Sequence, residues 1–78
     1  MIECTATIKK HIKLTDEVQT VKLKLTIHNT IYKINVGGIT IKKGNKRNAF
    51  EEFGKIIDFY LSNQYCTLHN LEKNSVGD

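Results

Sequence analysis

The sequence predicts an α+β fold: a four-stranded antiparallel sheet followed by one C-terminal helix packed on its apolar face, with Gln64–Asn70 offering a short fifth strand. Three observations carry that expectation. Apolar and polar residues alternate as far as Ile41, the pair Gly37-Gly38 divides two alternating runs, and from Ala49 onward the apolar spacing changes from two to three and four.

From Ile2 to Leu14 the apolar residues Ile2, Cys4, Ala6, Ile8, Ile12 and Leu14 fall on even positions, which is the pattern of a half-buried strand. Thr15, Asp16 and Glu17 turn the chain. A second strand follows through Val21, Leu23, Leu25 and Ile27, and a turn at Asn29-Thr30 sets His28 opposite Ile31 and Ile27 opposite Tyr32. The apolar face then continues as Tyr32, Ile34 and Val36. Gly37 and Gly38 supply the two positive φ angles of a type I′ hairpin, pairing Val36 with Ile39 and Ile34 with Ile41.

Past Ile41 the residues Lys42, Lys43, Gly44, Asn45, Lys46 and Arg47 read as a basic loop. Asn48 is a candidate N-cap with Glu51 as capping-box partner. Ala49, Phe50, Phe53, Ile56, Ile57, Tyr60 and Leu61 then line one face of a helix reaching about Asn63. Residues 1–71 are expected to form a single domain and the polar residues 72–78 a flexible tail.

The chain has 78 residues, 40% of them hydrophobic and 26% charged, and a formal charge of +4. All twelve basic residues are lysine except Arg47, so a polyanionic partner is plausible on charge alone. Met1-Ile2-Glu3-Cys4 lacks the basic start and apolar core of a secretion signal, and no apolar run is long enough to span a membrane. A cytoplasmic protein with no membrane partner is expected, with Cys4 and Cys66 as reduced thiols.

Chemistry-bearing patterns are sparse. Cys66 and His69 resemble half of a zinc site without a second compact pair, and Glu51 with Glu52 complements the helix dipole, so neither a metal, a cofactor nor a catalytic residue is assigned. No Gly-Lys-Ser/Thr follows the basic loop as nucleotide hydrolysis requires. The protein is therefore read as a non-enzymatic binding module.

The alternation places Lys9, His11, Lys13, Lys22, Lys24, His28, Lys33 and Lys42 on the bare sheet face, with Glu3 the only acid among the strand residues there. A first hairpin closing through Thr15–Val18 would set Lys9 against Lys24 and His11 against Lys22; a register step of two would set Lys13 against Lys22 instead. With Lys43, Lys46 and Arg47 of the loop, these residues form the expected surface for nucleic acid or a nucleoprotein complex. The face offers no aromatic for base stacking, so contacts to phosphates are expected to dominate.

Two other readings use different residues. Phe59 lies off the apolar helix stripe and Ile31 on the basic face, and either of them, or a free sheet edge, would serve a protein-binding inhibitor. An edge-paired homodimer is the third reading. In element order, Val21–Leu61 resembles the sheet-plus-helix DNA-binding modules at the N-termini of some phage-type integrases, which implies duplex binding through sheet side chains. In its size and in offering no active-site residues, the chain is similar to small phage and mobile-element accessory proteins that inhibit a host nuclease or defence complex, which implies a place in the host-cell cytosol.

Overall fold

A computed structural model describes residues 1–75, in which five antiparallel strands and one helix form two layers. The strands are β1 (Ile2–Ile12), β2 (Glu17–His28), β3 (Ile31–Val36), β4 (Ile39–Asn45) and β5 (Cys66–Ser75). A 3-10 turn (Lys46–Asn48) leads from β4 into helix α1 (Ala49–Leu61). The sheet order is β4-β3-β2-β1-β5, so the expected four-stranded meander is extended by β5 alongside β1.

Alternation decides which side chains meet the helix. Cys4, Leu25 and Ile34 stand side by side across three strands, with Ala6 beside Leu23 in the next row and Ile8 beside Val21 beyond it. Ile8, Leu23, Leu25 and Ile34 are the largest fully buried side chains, each stabilising the fold by about 1.5–3 kcal/mol. From above, Ala49 and Phe53 of α1 close the core, with Ile56, Ile57 and Tyr60 packed at its margin. Gly37 and Gly38 have φ of 58° and 86°, as the type I′ turn requires.

The first hairpin differs from expectation in register. It closes through Lys13–Asp16, with Asp16 at φ 59°, so Ile12 pairs with Glu17, and Leu14 lies in the turn, 98% exposed. Lys9 consequently faces Thr20, Lys22 faces Thr7, Lys24 faces Thr5 and His11 faces Val18. No lysine of this hairpin stands directly opposite another, which removes the like-charge repulsion of the other registers.

A β-bulge changes the fourth strand. Val36 pairs with Ile39 and Asn35 with Thr40, but Ile34 then pairs with Lys42 rather than Ile41, leaving Ile41 as the extra residue. Its physical reason is two rungs on, where Gly44 sits opposite Tyr32 and a Cβ on Gly44 would come within 3.0 Å of the Tyr32 ring. Without the bulge, Lys43 would meet that ring. The same shift turns Lys42 toward the helix and leaves Ile41 52% exposed.

Lys42, Lys43 and Asn45 thus belong to a strand, not a loop. The cap moves upstream with the 3-10 turn: Arg47 N donates to Asn45 Oδ1 at 3.0 Å, and Asn48 makes no side-chain cap. The helix ends at Leu61, where Ser62 Oγ donates to the Phe59 carbonyl at 2.6 Å. Residues 72–75, expected in a flexible tail, complete β5, and 76–78 lie outside the described residues. That strand escapes a simple period of two because it too is bulged, pairing Thr7 with Asn70 but Ile8 with Leu68.

Candidate nucleic-acid interface

The helix leaves one sheet face open, and register places each side chain on it. Of the residues expected there, Lys9, His11, Lys22, Lys24, His28 and Lys33 lie on this face. Lys13 lies beyond the strand in the exposed hairpin turn. Lys42 does not belong to it; on the helix side its ammonium bonds Glu52 at 2.5 Å. Lys43 takes a place on the open face, directly opposite Lys33. Lys46 and Arg47 are exposed in the 3-10 turn that continues β4.

The lysines fall in a line. Lys43 faces Lys33; Lys33 is the diagonal neighbour of Lys24, which lies two residues from Lys22 on β2, and Lys22 is the diagonal neighbour of Lys9. Diagonal neighbours on a sheet stand about 7–8 Å apart. The track therefore crosses four strands over roughly 25 Å, on a lattice of about 3.3 Å along and 4.8 Å between strands. Beyond its β1 end, His11 and Lys13 lie off the diagonal along the projecting hairpin, and its β4 end approaches Lys46 and Arg47.

Among the described residues, two acids share the open face. Glu3 lies 3.6 Å from Lys24, and Glu72 of β5 stands opposite Thr5 and accepts a 2.9 Å hydrogen bond from Asn70 Nδ2. Both lie on the same side of the lysine line, toward β5. Among the described residues, no ion pair engages Lys9, Lys22, Lys33 or Lys43. Glu72 was hidden in the sequence because the bulge in β5 conceals its alternation.

Shallow depressions corrugate the β3–β4 corner of this face. Lys33 borders one with Thr40, Ile41 and Lys43, a second with Ile31, Gly44 and Asn45, and a third with Met1, Thr26 and His28. Thr40 Oγ1 donates to Asn35 Oδ1 at 2.7 Å beside the first. Ile31 and Ile41, each about half exposed, add apolar surface next to the Lys33–Lys43 pair.

The helix layer absorbs charge instead. Glu52 accepts from Lys42 and lies 3.5 Å from Lys55, which is also 3.6 Å from Glu51. The hydrogen bond from Lys42 holds the Glu52 carboxyl below its ordinary range, and the same bond raises the Lys42 ammonium. Lys73 rests 5.1 Å from the centre of the Phe50 ring. Phe59 is 75% exposed and meets the Tyr60 ring edge-on at 5.9 Å.

Both cysteines are free and buried under the helix, and burial pushes the Cys4 thiol up. Cys4 pairs with Lys73 and Cys66 with Lys10, about 20 Å apart along β1, too far for a bridge. Among the described residues no three metal-binding side chains cluster, and no helix is long and apolar enough to cross a membrane. In comparisons with protein-family models, curated proteins and solved structures, the chain matches none.

Proposed function

We propose that the protein is a non-enzymatic module that binds the phosphate backbone of nucleic acid, free or within a nucleoprotein complex, along the lysine diagonal of its open sheet face. The observation that carries this reading is the line Lys43, Lys33, Lys24, Lys22 and Lys9, four of whose ammonium groups have no carboxylate partner among the described residues. A like-charge pair placed directly across two strands, as Lys33 and Lys43 are, destabilises a sheet unless an anion lies between them. Lysine serves as a point charge for phosphates rather than a fork for bases, so binding is largely independent of sequence.

Fluorescence anisotropy against duplex DNA over a range of salt tests the reading. Five phosphate contacts predict a slope of log affinity against log salt of roughly −4 to −5. Lys22→Gln with Lys33→Gln is expected to lower that slope by about 2. Absence of binding at low salt, or a slope near zero, would overturn it.

A second reading, inhibition of a partner protein through an apolar contact, draws on the exposure of Phe59. Phe59→Ala leaves salt-sensitive nucleic-acid binding unchanged on the first reading. Strand addition is opposed at both edges of the sheet, since β4 and β5 each carry a bulge and charged side chains.

A further inference from the structure

The first hairpin is longer than the sheet that supports it. β3 pairs with β2 only over Leu23–His28, and β5 pairs with β1 only as far as Lys10, followed by one bond from His11 N to the Tyr65 carbonyl at 2.9 Å. His11–Thr20 therefore projects as a bare two-stranded ribbon, about 15 Å long with its turn. All of it is exposed except Ile12, which is half-buried.

Two features of this ribbon have no explanation in the fold. Leu14 at the tip is 98% exposed, and Val18, on the open face opposite His11, is 49% exposed. Neither joins the core. Charge near its turn is also one-sided: Lys13, with Lys9 and Lys10 just below the ribbon, lies on the β1 side, while Asp16 and Glu17 lie on the β2 side.

We propose that this ribbon is an arm that lies in the major groove of B-form duplex DNA, with Leu14 and Val18 against thymine methyl groups. The inference rests on the nucleic-acid reading above and names its substrate class. The lysine line leaves the strand direction at roughly 35°, so a backbone held along it passes the arm on the β1 side and the arm enters the adjoining groove. A two-stranded ribbon fits the B-form major groove, about 12 Å wide, and is too broad for the minor groove at about 6 Å. The deep, narrow major groove of A-form RNA excludes it. Aliphatic side chains read the thymine C5 methyl, which is the one apolar group on that groove's floor.

The test compares poly(dA–dT) with poly(dA–dU), which differ only in that methyl, and with the matching RNA duplex. The intact protein is expected to prefer the thymine duplex about fourfold per methyl contacted and to bind the RNA duplex more weakly than either. Leu14→Ala with Val18→Ala, both exposed positions, removes the thymine preference while retaining the salt slope, with circular dichroism confirming the fold. Equal binding of the two DNA duplexes by the intact protein, or a preference that survives the double substitution, overturns the arm and leaves the lysine track standing if binding stays salt-sensitive. Absence of binding to every duplex overturns both.

Discussion

On the helix side of the sheet, Lys42 meets Glu52, and Lys73 lies over Phe50; on the open side, among the described residues, only Lys24, beside Glu3, has a comparable partner. The two sides share the same strands and the same alternation. What separates them is the helix, which carries Glu51, Glu52 and Asp58 and draws nearby cations to itself, so the positive charge that remains collects on the uncovered face. A net charge of +4 understates this segregation, because it averages a neutralised layer with a basic one.

The comparison breaks most severely from the covered side. Leu25→Ala empties a fully buried site under α1 and is expected to cost about 2–5 kcal/mol, read as a lower urea midpoint with an unchanged m-value. Gly44→Val tests the bulge: the new side chain meets the Tyr32 ring at 3.0 Å or closer, and a loss of about 1–3 kcal/mol is expected. If Gly44→Val were neutral, the packing of Tyr32 would not be what sets the parity of β4.

On the open side, Lys33→Gln with Lys43→Gln is expected to leave thermal stability unchanged or slightly raised, since it relieves a like-charge pair, while the DNA salt slope falls by about 2. A drop in stability there would mean that these lysines serve the fold. Glu52→Gln is the mildest change. Because its carboxyl is held below the ordinary range, its contribution is present at neutral pH and lost as pH falls through the folded-state value, and the raised Lys42 loses its share only as pH climbs past the lysine range. The variant should therefore show a small loss of melting temperature at neutral pH and a flatter acid limb.

Much of the fold was legible because it is local. The even positions of β1, the odd positions of β2, the Gly37-Gly38 turn and the spacing of Phe53, Ile56, Ile57 and Tyr60 each follow from a short-range rule, and each stands in the structure as the rule demands. Lys9, Lys22, Lys24 and Lys33 were placed on the open face by the same parity. The same parity sets Lys42 on that face and leaves Lys43 in a loop, and the structure reverses both, because the bulge between them and Val36 depends on how the Tyr32 ring packs against the neighbouring strand. Glu72 and the extent of β5 were missed for a related reason: a bulged strand breaks the period of two that identifies strands.

The amino-acid sequence by itself determined the α+β class, the order of the first four strands and the helix, and which face of β1, β2 and β3 is apolar, since these depend on side-chain periodicity and turn chemistry within a few residues. Only the tertiary structure decided the register of the first hairpin, the reversal at β4 and the addition of β5. Those choices turned a broadly basic face into a single diagonal of lysines with a projecting ribbon at one end. The physical reason is that alternation specifies a face but not a partner, and which lysine stands beside which is settled only when whole strands compete to bury their apolar sides together.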